Sequence, residues 1–229
     1  MFWNEQSTTK DQFVVPDDIV DIVYKLDCKS LPLDHAWPLS HALQQALPWL
    51  AAEEHAGVHL IHMAESGNGW YRPDDPENDQ LYLSKRTRLT LRIPKPRIAD
   101  ALQLTGTILD VAGSALTVQA GAIKLLSTLP TLFARYVTCD ATQDETAFLQ
   151  TLAAQLRTMG IPVTKLLAGK QNTLRLPHGP VATRSLMVAD LIPAQSVRLQ
   201  QQGLGAGRKY GCGLFVPQKG IKPVVSDND

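Results

Sequence analysis

An α+β fold made of two successive βαββαβ units, closed by a glycine-rich loop near the C-terminus, is predicted by three observations. Apolar and polar residues alternate with a two-residue period in short segments such as Ile19 to Leu26 and Leu81 to Ile93. Segments with apolar residues three and four apart lie between them, most clearly Asp144 to Met159. The order strand, helix, strand, strand, helix, strand ends near Ser127 and begins again after Thr131. That order predicts tandem ferredoxin-like (RRM-like) domains over residues 17–127 and 128–229, behind an N-terminal extension of residues 1–16.

Each element has its own signal. Ile19 to Leu26 sets Ile22, Tyr24 and Leu26 against Asp21, Val23 and Lys25, the alternation of a strand. Ser30 to Asp34 is read as a connection, with Asp34 capping a helix from His35 to Leu47 whose first turn tolerates Pro38 and which Pro48 ends. Gly57 to Ala64 is read as a strand, Ser66 to Asn78 as a polar loop, and Leu81 to Ile93 as a strand with Arg86, Arg88 and Arg92 on one face. A short helix from Pro96 to Leu104 precedes a hairpin over Thr107 to Val118, turning at Ala112-Gly113.

In the second unit, Leu132 to Cys139 is strand-like, and the helix from Asp144 carries Phe148, Leu149, Leu152 and Leu156 to a stop at Gly160. Val163 to Ala168 and Asn172 to Leu176 are expected to pair through a Gly169-Lys170 turn. Ser185 to Leu191 is a strand, Ala194 to Gln202 a helix, and Leu214 to Val216 a last strand.

The 229 residues are 44% hydrophobic, enough for a proper core, and 22 acidic side chains balance 22 basic ones. Charge is segregated: acids crowd the N-terminal part, whereas Leu81 to Ala99 and residues 194–224 contain bases and no acid. The distribution points to a polyanion where the net charge does not. The 3 cysteines show no disulfide or zinc spacing, which fits a reducing cytosol, and no stretch is apolar enough to span a membrane.

Gly203, Gly205, Gly207, Gly211 and Gly213 surround Arg208, Lys209 and Tyr210 between a helix and the last strand. Backbone amides unobstructed by side chains, beside two cations, suit phosphate, although the order lacks the strand-loop-helix context of a nucleotide fingerprint. With Arg86, Arg88, Arg92 and Arg198, the loop residues Gly205, Gly207, Arg208 and Lys209 are the candidate set for a nucleic-acid backbone, and if the two halves face one another the two basic stretches line one groove. Ser40 and Tyr210 are further hydroxyl donors.

The run Gly203 to Pro217 resembles the C-terminal glycine-rich signature of the CRISPR repeat-processing endoribonucleases of the RAMP superfamily. Leu31-Pro32-Leu33-Asp34-His35-Ala36, Gly57 to His62 and Arg86 to Arg92 resemble more closely the branch first described from myxobacterial-type systems. The resemblance implies binding of CRISPR repeat RNA and its metal-independent cutting: a ribose 2′-OH attacks the adjacent phosphate and a 5′-OH leaves. It implies no cofactor, retention of the repeat hairpin, and a place beside other CRISPR effector subunits.

The resemblance also implies a catalytic histidine in or beside the first helix. His35, at the helix entrance after Asp34, is preferred, with His41 on the flank of the apolar stripe as second candidate. His59 and His62 would fall on opposite faces of a strand, so no metal site is predicted there. Two other functions fit the basic stretches: a non-catalytic crRNA-binding subunit, which needs no histidine, and a small-molecule enzyme whose loop holds a phosphate.

Overall fold

A computed structural model describes residues 13–62 and 80–218. The expected loop of residues 66–78, most of the N-terminal extension, Lys219 and Lys222 lie outside the described residues. The first unit contains β1 (Ile19–Asp27), β2 (Ser30–Pro32), α1 (Ala36–Ala46), α2 (Trp49–Ala52), β3 (Gly57–His59), β4 (Gln80–Tyr82), β5 (Arg88–Pro94), α3 (Ile98–Leu102), β6 (Ile108–Val111) and β7 (Ser114–Lys124). The second contains β8 (Leu132–Thr138), α4 (Glu145–Thr158), β9 (Lys165–Leu176), β10 (Gly179–Ala189), α5 (Pro193–Gln202) and β11 (Val216–Pro217).

Two antiparallel sheets carry the fold, one in the order β3-β5-β1-β7-β6 and one in the order β11-β8-β10-β9. Helix α1 buries Leu39, Ala42 and Leu43 with Ile22, Tyr24, Leu89 and Leu91 of the larger sheet. The buried Tyr24 hydroxyl donates to the Ala101 carbonyl at 2.8 Å, fixing α3 over the same face. In the second unit Phe148, Leu152 and Leu156 of α4 and Leu199 of α5 pack with Leu132, Ala134, Leu186 and Val188. Asp144 starts α4 by accepting from the Ala147 N–H at 2.7 Å.

The structure redraws several expected elements. The single strand over Leu81 to Ile93 is two strands, because Ser84 and Thr87 form a turn through Thr87 N–H to Ser84 O at 2.9 Å. β4 pairs with β2, which the sequence reads as a connection, and only β5 joins the large sheet. The helix at 36 has His35 rather than Asp34 at its N-cap, with no side-chain cap bond. β3 ends at His59, short of Ala64.

β9 runs unbroken through Gly169-Lys170 and turns instead at Pro177-His178 into β10. Gly169 serves close approach: a Cβ there would lie 2.2 Å from Ser185 Oγ on the neighbouring strand, where the ladder shifts register. The element order from Leu132 is therefore strand, helix, strand, strand, helix, strand with no extra strand. At Ala112-Gly113 the expected hairpin turn is present, with φ of 50° and 81°.

Candidate nucleic-acid and catalytic site

The segment Gly203 to Phe215 leaves α5, passes a single 3-10 turn at Arg208–Tyr210 and returns to β11 beside β8. Its two ends close on each other: a Cβ on Gly213 would lie 2.1 Å from the Leu204 carbonyl oxygen, and the residue has φ +67°. Only glycine fits that approach. Gly205 and Gly207 are left-handed as well, and Thr138 holds this arm through Ala206 N–H to its Oγ1 at 3.1 Å.

The loop is less bare than its composition suggests. The N–H groups of Leu204 and Cys212 donate to Gly213 O and Gly207 O within the loop, and that of Gly213 donates to Tyr136 O on β8, so these amides are already satisfied. Its two cations turn inward. Arg208 donates to Gln202 O at 2.7 Å and His55 O at 3.1 Å, and Lys209 donates to Ala56 O at 2.8 Å and to Glu53 O. Burial first, then repulsion between the two, lowers Lys209 to about 8. Arg208 and Lys209 thus strap the loop to the segment between α2 and β3.

The other expected RNA-binding arginines do not gather in one groove. Arg86 is exposed in the turn before β5; Arg88 is half-buried and donates to Lys85 O and Thr87 O. Arg92 lies at the far end of the same strand face and is fully buried. Its guanidinium grips Asp21 and donates to Gln200 O at 3.0 Å and Phe215 O at 2.9 Å, so α5 and the loop cover it. Arg92 joins the two units and is closed to RNA. Arg198 is exposed and donates to Met159 O, tying α5 to α4.

The two histidine candidates occupy opposite environments. His35 is 3% exposed. Its Nδ1–H donates to Pro32 O at 2.9 Å and Leu33 O at 3.2 Å, and its Nε2 accepts from the Ile61 N–H at 3.1 Å. Burial lowers its pKa, outweighing the carbonyl contacts that raise it. Backbone carbonyls orient the ring, and neither nitrogen is left for substrate. His35 pins the 61 segment to the entrance of α1.

His41 is exposed on α1. Its ring stacks on Trp37 with centroids 5.1 Å apart, and Trp37 in turn meets Tyr210 of the glycine-rich loop at 6.1 Å. His41 is therefore the histidine that α1 presents beside the loop. Beside Tyr210, a cleft of about 610 Å³ is lined by Glu54, His55, Gly205, Gly207, Arg208 and Lys209. Ser40, by contrast, is buried and accepts from Gln44.

His59 and His62 line one cleft with Arg135 and Tyr136, because β3 ends at His59 and strand alternation no longer separates them. Burial, and then Arg92, lowers His59 to about 4; burial, and then Arg135, lowers His62 to about 3. Both rings are neutral near pH 7, so the 4.0 Å approach of His59 to Asp21 is no ion pair there. No group of metal-ligating side chains is present among the described residues. Trp37 is the residue the sequence reading missed; its signal was the i, i+4 spacing to His41 on a helix.

Comparison with known proteins places the chain. A family model described as Cas6 CRISPR matches residues 20–220. The chain belongs to the Cas6 family. It is 32% identical over 198 residues to the CRISPR-associated endonuclease Cas6 of Myxococcus xanthus strain DK1622, covering 86% of this chain and 81% of that one. Its fold is similar to that of a Cas6-related protein from Pyrococcus furiosus, with a TM-score of 0.58 at 12% identity over 86% of this chain and 98% of that one. It is also similar to Cse3 of Thermus thermophilus, solved with an RNA representing a pre-cleavage complex, at a TM-score of 0.51 and 14% identity over 87% of this chain and 98% of that one. In this chain the glycine-rich loop and α1 meet through Trp37 and Tyr210, with His41 stacked on Trp37.

Proposed function

We propose that this Cas6 protein is an endoribonuclease that binds CRISPR repeat RNA and cuts precursor crRNA, with His41 as its proton-transfer residue. Membership of the family carries the activity, through the 32% identity to a CRISPR-associated endonuclease. Exposure of His41 beside the loop supports its role, since a base must reach the substrate and His35 has spent both nitrogens on backbone. The 2′-OH loses its proton as its oxygen attacks the adjacent phosphorus. The P–O5′ bond breaks, leaving a 2′,3′-cyclic phosphate and a 5′-oxygen that takes up a proton.

Both units are read as ferredoxin-like, over residues 17–127 and 128–229. The strand orders β3-β5-β1-β7 and β9-β10-β8-β11 support this, with β6 an addition at the edge of the first sheet. In this reading RNA is held through exposed cations such as Arg86, the reaction needs no metal, and the hairpin product stays bound, as for a subunit of a CRISPR effector complex.

Cleavage of labelled repeat RNA in excess EDTA tests the reaction, beside an RNA with one 2′-deoxy at the cut site. The wild type is expected to cut the first and bind but spare the second. Loss of cutting in EDTA contradicts the metal-free reaction, and cleavage of the 2′-deoxy RNA contradicts 2′-OH attack.

A further inference from the structure

An imidazole on the exposed face of a helix has rotamer freedom that proton transfer cannot use, because misplacing a catalytic group by about 1 Å costs on the order of a hundred-fold in rate. Something must hold His41. Trp37 sits one helical turn earlier, and the indole and imidazole planes are 21° apart at 5.1 Å. The same indole meets the Tyr210 ring at 6.1 Å and 42°. Trp37 thus stands between the histidine on α1 and the aromatic residue of the glycine-rich loop.

Trp37 does not belong to the buried apolar clusters of the described residues, so these ring contacts are a use of the indole separate from core packing. Gln45 closes the other side of the histidine, its Nε2 lying 3.0 Å from His41 Nε2. A primary amide suits a residue that changes protonation: it donates N–H to a neutral ring and, turned over, offers its oxygen to a protonated one.

We infer that Trp37 is a positioning residue, holding the His41 ring in register with the glycine-rich loop through Tyr210. The inference rests on the assignment of proton transfer to His41. Indole is the suitable group because its flat, two-sided surface contacts two rings at once and has few rotatable bonds to fix.

The test is the single-turnover cleavage rate of a labelled CRISPR repeat RNA by W37A, W37F and H41A, with affinity measured on the 2′-deoxy form of the same RNA. W37A is expected to cut on the order of ten- to a hundred-fold more slowly, with affinity within about two-fold of wild type. W37F keeps a ring to stack and recovers most of the rate. Wild-type cleavage by W37A overturns the inference, as does parallel loss of rate and affinity in both Trp37 variants, which marks a structural role. Full activity in H41A defeats the assignment of His41 itself. An inactive H41A beside an unaffected W37A leaves that assignment standing and removes Trp37 alone.

Discussion

Arg92 and Asp21 face each other across β5 and β1 and close a bidentate pair, Nε to Oδ1 at 2.8 Å and Nη2 to Oδ2 at 2.9 Å. The guanidinium has no exposed surface, and its Nη1 donates to the carbonyls of Gln200 and Phe215. One side chain therefore links the first sheet to both α5 and the glycine-rich loop. Its charge holds Asp21 below the usual carboxylate range, although burial, the largest single influence on that group, acts in the opposite direction.

Substituting Arg92→Met strands the Asp21 charge. Unfolding in denaturant is expected to show a loss of about 3–5 kcal/mol, and the double variant R92M/D21L to recover part of it. The folded fraction of R92M is expected to bind repeat RNA as the wild type does, because Arg92 does not reach solvent.

Acid weakens the fold through His59 and His62, and His35, whose pKa is also lowered by burial, adds in the same direction. The folded pKa values of His59 and His62, about 4 and about 3, lie below the ordinary 6.5, so between pH 6.5 and those values the unfolded chain binds more protons. Stability is therefore expected to fall as pH drops through this window, by up to about 1.4 kcal/mol per pH unit for each group. His59→Gln flattens the slope in denaturation midpoints measured from pH 7 to pH 4; an unchanged slope assigns the titration elsewhere.

The basic residues divide by exposure. Removing a phosphate contact lowers the slope of log affinity against log salt by about 0.7–0.9, so Arg86→Ala is expected to reduce it. Arg208→Met is expected instead to lower the melting temperature, because its partners are the carbonyls of Gln202 and His55. Salt titrations and thermal melts of the two variants separate the roles.

Gly213→Ala places a Cβ against the Leu204 carbonyl in a left-handed residue. The left-handed backbone alone costs about 1–2 kcal/mol, before the contact is relieved. Repeat-RNA cleavage is expected to fall while far-UV circular dichroism stays close to wild type, since the strain falls on the loop and not on the sheets.

Periodicity carried much of the fold. The apolar spacing of α4, the alternation of β1 and the Ala112-Gly113 turn are local signals that the structure retains. Failures arose where a residue type has two physical uses. Gly169 reads as a turn but serves strand approach, and Ser84 to Thr87 reads as strand but closes a turn through its own hydrogen bonds.

The site was legible in its parts and not in its assembly. The glycine-rich loop reads directly from residue types and their order, whereas His35 and His41 were singled out through the family resemblance. Sequence shows that Arg92 shares a strand face with Arg88, yet not that α5 covers one end of that face. Likewise, nothing local separates His35 from His41: the distinction comes from the Ile61 amide, distant in the chain, which occupies His35 Nε2.

The central claim is tested most directly by single-turnover cleavage of repeat RNA by H41A and H35A, with binding and thermal stability measured in parallel. H41A is expected to stay folded and bound but not to cut. H35A is expected to lose about 1–3 kcal/mol of stability, because the Ile61 N–H is left unpaired, and still to cut once folded. A folded, RNA-bound H35A without cleavage, beside an H41A that cuts at the wild-type rate, would contradict the account.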